Sequence, residues 1–145
     1  MIPPIIFDTR EQRPWPIPGA IRKGLKTGDY SVEGYEDSIC LERKSLNDLV
    51  GSMTKGRARF LREVRRMRDY RFKCIVVEAT VREVMEGQYF SRTNPNSILG
   101  SVVSLCIRHN VQVHFAGDRQ MAQVFSERWL KKAAQYSEES TNEAD

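Results

Sequence analysis

Gly28-Asp29-Tyr30, followed by Glu42-Arg43-Lys44-Ser45-Leu46-Asn47-Asp48, is the stretch on which the reading of this chain turns. Between the acid at 29 and the acid-any-Lys triplet at 42–44 lies Ser31 to Leu41. That segment reads as a strand, a turn at Gly34 or Asp37, and a second strand from Ser38. A hairpin sets the start of its first strand beside the end of its second. The carboxylates of Asp29 and Glu42 are therefore expected to meet at one edge. Side chains alternate along a strand, so Glu42 and Lys44 share a face while Arg43 turns away. Two carboxylates about 4 Å apart repel by about 4 kcal/mol at an effective dielectric near 20. Such a pair calls for a cation, and hard oxygen ligands beside a lysine suit Mg²⁺ or Mn²⁺.

Upstream, Pro3 to Phe7 is a short apolar run that reads as a strand, with Asp8-Thr9-Arg10-Glu11 at its C-terminal end. Sites in open α/β sheets form outside such strand ends. Glu11 to Thr27 reads as a loop, because Pro14, Pro16 and Pro18 forbid a regular helix, with Trp15 as its plug into the core. Downstream, Ser45 with Asp48 three residues on makes a capping-box start to a helix, so Asp48 reads either as a cap or as a site acid. Gly51 and Gly56 flank a break. From Arg57 to Arg71 the pattern is helical: Phe60, Leu61, Val64 and Met67 on one face, Arg59, Arg62 and Arg66 on the other. The basic face is read as a stripe that contacts phosphates, with a solvated surface as the plainer alternative.

Phe72 to Ala79 reads as a buried strand and Val81 to Glu86 as a short helix. Gly87 to Ser97 is a loop whose Tyr89, Phe90 and Arg92 are candidates to touch a substrate. Ser97 to His109 is a helix with apolar residues over a wide arc, which predicts a second buried contact such as a subunit interface, with a fully covered core helix as the plainer alternative. Val111 to Phe115 is the next strand, and Asp118 caps a last helix with a Met121, Val124, Phe125 and Trp129 stripe. Residues 137–145 read as a polar, acidic, disordered tail. The expected organisation is thus one domain, 1–136, and a tail, 137–145. The class is α/β: helices flanking a small mixed sheet, antiparallel at the early hairpin and parallel after it.

Charge sharpens the function class. Of 145 residues 29% are charged, and the net charge is +4. The four acids of the tail conceal +8 on residues 1–136, and Lys55 to Lys73 carries nine bases against Glu63 and Asp69. That density points to a polyanion partner, most simply nucleic acid. No apolar run is long enough for a membrane span and no signal-peptide pattern is present, so a soluble intracellular protein is expected. Cys40, Cys74 and Cys106 are scattered and read as free thiols; neither they nor His109 and His114 form a zinc pattern.

These residues resemble a known family. Asp8-Thr9-Arg10-Glu11, Gly28-Asp29-Tyr30, Glu42-Arg43-Lys44 with Asp48, and Gly56-Arg57 look like the nuclease domain of the XPF-type structure-specific DNA endonucleases, within the restriction-endonuclease-like superfamily. The resemblance covers most of the chain and implies a three-layer sandwich. It also implies a Mg²⁺-dependent phosphodiesterase, with Mn²⁺ as a substitute, that cuts branched, flapped or forked DNA in repair, recombination or replication. On these positions Asp29 and Glu42 would be the principal metal ligands, and Asp8 would complete the cluster directly or through water. Lys44 would orient the attacking water or steady the phosphorane. Arg10 and Arg43 would bind phosphate or hold the acids, supported by Glu11 and Asp48, and Arg57 would join the DNA-binding set. The family pairs its nuclease domains, which implies a homodimer. The glycine pattern of the tandem helix-hairpin-helix modules common in relatives is not read in these 145 residues. A stand-alone form similar to small bacterial or viral members, cytoplasmic and nucleoid-associated, is expected. Two alternatives stay open: a non-catalytic DNA-binding half of a heterodimer, and a nuclease of the same superfamily with another target.

Overall fold

Strand alternation sorts the apolar residues of this chain into two cores, one on each side of a single sheet. The computed structural model describes residues 2–142, with side chains through Glu139. Its sheet has six strands in the order β2-β1-β3-β4-β5-β6: β1 (Ile5–Phe7), β2 (Ile21–Arg22), β3 (Tyr30–Val32), β4 (Ile39–Lys44), β5 (Phe72–Val77) and β6 (Gln112–Phe115). β3 runs antiparallel to both β1 and β4, and β1–β2, β4–β5 and β5–β6 are parallel. The early hairpin and the later crossovers thus stand where the sequence puts them. The Pro-rich segment differs from its loop reading, since Ile21 and Arg22 pair in register with Ile6 and Phe7.

On one face, Cys40, Ile75 and Val77 pack under α1 (Leu46–Met53), α2 (Arg57–Arg66), α3 (Val81–Met85) and α4 (Pro95–His109). On the other, Ile39, Leu41, Cys74 and Val76 pack with Trp15 and Ile17 of the Pro-rich loop and with Ala122, Leu130 and Ala134 of α5 (Arg119–Asn142). The odd and even positions of β4 and β5 therefore serve different layers, as a two-residue period requires. Helices on both faces of a mixed sheet make the three-layer sandwich.

Local chemistry sets the helix ends. Ser45 Oγ accepts the Asp48 amide at 3.1 Å, an N-cap without the reciprocal bond of a full capping box. The helical run at 57–71 stops at Arg66, with Met67 as its cap. α4 begins two residues earlier than its pattern indicates, because Asn94 caps it and Pro95 occupies the first turn, where a proline costs no hydrogen bond. Asp118 Oδ1 accepts the Met121 amide at 2.8 Å and starts α5. That helix does not stop at residue 136: it continues to Asn142 through the stretch expected to be a disordered tail, and residues 143–145 lie outside the described residues. Tyr35, at the hairpin turn, donates its hydroxyl to Glu138 at 3.0 Å, a contact no local pattern reveals.

Candidate active site

The C-terminal ends of β1, β4 and β5 and the start of β3 bring the acids to one edge of the sheet. Gly28 makes that close approach feasible. It adopts φ +80°, and a Cβ there would lie 2.5 Å from Cys40 Sγ and 3.2 Å from the Leu41 carbonyl oxygen. Only glycine fits both the left-handed backbone and the space. Asp29 is then locked by its amide to the Leu41 carbonyl (2.9 Å) and by its carbonyl to the Asp8 amide (2.8 Å). Three acidic segments are in this way joined through backbone hydrogen bonds.

Asp29 and Glu42 form the central pair. Asp29 Oδ2 accepts the Arg43 amide at 2.8 Å, and Glu42 is 8% exposed, with Lys44 Nζ at 3.5 Å from its Oε2. Burial, followed by the charge of Asp29, pushes Glu42 well above the ordinary carboxyl range. Burial also raises Asp29, against the lowering pull of the Arg43 amide and Lys44. Both feel the negative charge of Glu63 on α2. Lys44 Nζ lies 4.6 Å from the centre of the Phe60 ring, which fixes the ammonium on the α2 side.

A cavity of about 240 Å³ is lined by Asp8, Arg10, Glu11, Asp29, Glu42, Glu63 and Arg66, among others. A second, of about 400 Å³, shares Arg10, Glu11, Asp29 and Glu42 and adds Arg43, Lys44, Asp48 and Glu78. All eight residues assigned to catalysis from sequence therefore line one continuous cleft. Their states differ. Asp8 is 2% exposed, and its oxygens are engaged by the Leu25 amide (2.8 Å) and by Arg10 Nε (2.6 Å). Burial alone would raise the Asp8 carboxyl, but those bonds together hold it below the usual value. Glu11 is raised, first by burial and then by Asp29. Among the described residues, no three His, Cys, Asp or Glu side chains close into a ready-made metal cluster. The expected Asp8–Asp29–Glu42 convergence is thus a tight pair, with Asp8 in the same cleft but turned to Leu25 and Arg10.

Arg43 does not reach toward the pair. Its Nε lies 3.2 Å from Glu78 Oε1, its Nη1 donates to the Arg13 carbonyl at 2.7 Å, and it stacks 5.1 Å over Trp15. Trp15 Nε1 donates to Glu78 Oε2 at 2.9 Å, and Arg119 ties the Arg13 and Pro14 carbonyls. Glu78 and Glu63 are the residues the sequence reading leaves out. Glu78 could be found as the acid closing a buried strand at the functional edge, and Glu63 as the acid interrupting an otherwise basic helix.

The nucleic-acid candidates separate as well. Arg66 lines the acidic cavity, while Arg59 and Arg62 are exposed on the same helix. Arg57 donates to Ser101 Oγ at 3.1 Å. Half-buried Tyr89 is tied into its own loop: its hydroxyl donates to the Thr93 carbonyl at 2.6 Å and its ring packs partly against the core. Arg92 is exposed, and the neighbouring Phe90 is 97% exposed with its amide held by Asn47 Oδ1 at 3.0 Å.

A mixed sheet between helical layers, with an acid pair and a lysine at its strand ends, defines a nuclease domain of the restriction-endonuclease-like type. The model of the ERCC4 domain matches residues 8–127, and the chain belongs to that family of XPF-type nuclease domains. Among solved structures the chain is similar to XPF from Aeropyrum pernix, at 25% identity and a TM-score of 0.66, covering 93% of this chain and 65% of that one. The same protein in complex with DNA matches at 25% identity and a TM-score of 0.65, over 95% and 66% of the two chains. The chain thus spans just under two thirds of the relatives' length. None of the curated proteins matches it. No helix among the described residues is long and apolar enough to cross a membrane.

Proposed function

We propose that this chain is a Mg²⁺-dependent endonuclease that hydrolyses phosphodiester bonds of DNA at branched, flap or fork structures, in repair, recombination or replication. The observation that carries the reading is the pairing of half-buried Asp29 with buried Glu42 beside Lys44, facing a strongly basic helix. Negative charge placed where burial and mutual repulsion both oppose it suits a site made to receive a cation. The donors are carboxylate oxygens, the cleft is open, and soft ligands are lacking, which fits Mg²⁺ or Mn²⁺. The family's nucleases are typically metal-dependent, and a relative is known in complex with DNA.

Asp29 and Glu42 would hold the ion, with Asp8, Glu11 and Glu63 as outer acids. When bound, a divalent ion supplies the charge that polarises the phosphate and makes its water acidic. Lys44, 3.5 Å from Glu42, is set to orient the attacking water and to balance the charge that grows on the phosphate. Arg10 and Arg66, at the rim of the acidic cavity, would hold the scissile strand. Arg43, bound to Glu78 and Arg13, acts as a positioning residue that fixes the β4 end. A second copy of the chain would cover Val103 and Ile107, which leave α4 exposed at 49% and 77%.

Labelled flap, fork and linear duplex DNA incubated with and without Mg²⁺ test the reading. Cleavage of the branched substrates that needs the metal and is absent in E42Q is the expected result. No metal-dependent cleavage of any substrate at high protein concentration overturns it.

A further inference from the structure

α2 has a second basic side that the catalytic cleft does not use. Glu63 and Arg66 line the acidic cavity, whereas Phe60, Leu61 and Arg65 line a separate cavity of about 250 Å³ between α1, α2 and α4. A further cavity of about 460 Å³ adjoins it and shares Arg65, Arg108 and His109. Together they form one groove, and α2 is the wall between that groove and the acids. Arg57, Arg65, Arg68, Lys73 and Arg108 supply its fixed charges, and no Asp or Glu lines either cavity. None of the ion pairs among the described residues involves these five side chains.

Like charge gathered along one groove raises the local potential that attracts a polyanion. Several features make it a prepared surface rather than a solvated face. The Arg57 guanidinium is held by Ser101 Oγ, and Lys73 Nζ is tied to the Arg68 carbonyl at 3.1 Å. Ser52 and Ser104 add hydroxyls, and Met53, Phe60 and Leu105 make an apolar floor. Along α2 the groove's cations Arg57 and Arg65 stand about 12 Å apart at 1.5 Å per residue. That is the reach of about three to four base-pair steps of backbone, too long for one phosphate group.

We infer that this groove binds the phosphodiester backbone of a second nucleic-acid arm while the arm to be cut lies in the acidic cleft across α2. The assignment rests on the nuclease reading only for what occupies the other side; the groove's affinity is measurable without hydrolysis. A branched DNA would engage both sides of α2, and a single duplex only one. The groove would thus give a nuclease domain its own means of preferring junctions.

The test is equilibrium binding of the full chain, in EDTA, to a fork and to a linear duplex of one arm's length, over a range of salt. R65A/R108A alters two exposed side chains, and an unchanged melting temperature verifies its fold. The expected result is fork binding about tenfold or more weaker, with a salt slope shallower by about two, and duplex binding unchanged. R65K/R108K keeps the charge and retains most of the fork affinity. Unchanged fork binding overturns the inference, as does an equal loss on fork and duplex, which would make the groove part of one shared footprint. If the wild-type chain cuts no DNA with Mg²⁺, the nuclease reading fails while the fork-against-duplex comparison still decides the groove.

Discussion

The two faces of the sheet at its C-terminal edge are built from neighbouring residues and do opposite things. On the α2 side, Glu42 and Lys44 stand with Glu63 near them, the acids crowded and raised by burial. On the α5 side, Arg43 and Glu78 neutralise each other and are packed by Trp15 and Arg119. One face is left electrostatically unsatisfied and the other is fully satisfied. On the proposed function, chemistry belongs to the face whose charges are crowded and rigidity to the face whose charges are paired. A one-residue step along β4 moves from one role to the other.

Substitutions on the two faces should separate cleanly. D29N or E42Q is expected to lower Mg²⁺-dependent cleavage by about a thousandfold, equivalent to about 4 kcal/mol of transition-state stabilisation, with the melting temperature retained or raised. E78A should do the reverse in kind: it strands the Arg43 guanidinium and costs about 3 kcal/mol of folding stability by chemical denaturation. If E42Q destabilises the fold more than E78A, the contrast between the faces is wrong.

The acid pair also sets a pH signature. Glu42 and Asp29 are raised in the folded chain, so without metal the folded state retains protons that the unfolded state has released. Stability is then full below the ordinary glutamate value of 4.5 and falls as pH climbs from there toward the folded value. Thermal melts in EDTA over about pH 5 to 8 should show this decline. Mg²⁺ should reduce it, and E42Q should flatten it without metal.

Gly28→Ala is next in size. It places a side chain in a left-handed backbone against Cys40 and is expected to cost about 2 kcal/mol. Activity should fall with it, because Asp29 follows directly. The smallest effect belongs to Arg59, Arg62 and Arg66. Their triple alanine variant should make the salt dependence of DNA binding shallower by about one unit per lost phosphate contact. An unchanged slope returns them to a solvated face.

How much of this is legible in sequence depends on what kind of contact makes it. The hairpin, the Asp29–Glu42 meeting and the opposite directions of Lys44 and Arg43 follow from strand periodicity and spacing, which are local rules. Glu63 escapes because its helix reaches the β4 edge only through tertiary packing of Phe60 and Val64. Glu78 escapes because its value lies in partners at 43, 15 and 119, which no spacing connects. The convergence of Asp8 was expected without its bonds to the Leu25 amide and Arg10, supplied by a loop whose path proline content alone does not specify. The extension of α5 was hidden by acidic composition: charge argued for a tail, while Tyr35 gives Glu138 a partner. The wide apolar arc at 98–107 was legible, with Ile98, Val102 and Leu105 buried and Val103 and Ile107 left outside.

Trp15 makes the paired Arg43–Glu78 end of the sheet observable. Its indole stacks on Tyr30 at 4.6 Å, donates to Glu78 and lies beneath Arg43, so its emission is sensitive to the arrangement of that end of the sheet. Trp129, midway along α5, is the other indole of the chain, and replacing it leaves Trp15 as the single reporter. In a Trp129→Phe chain, DNA added to the cleft is therefore expected to change the Trp15 emission, a readout that needs no dye.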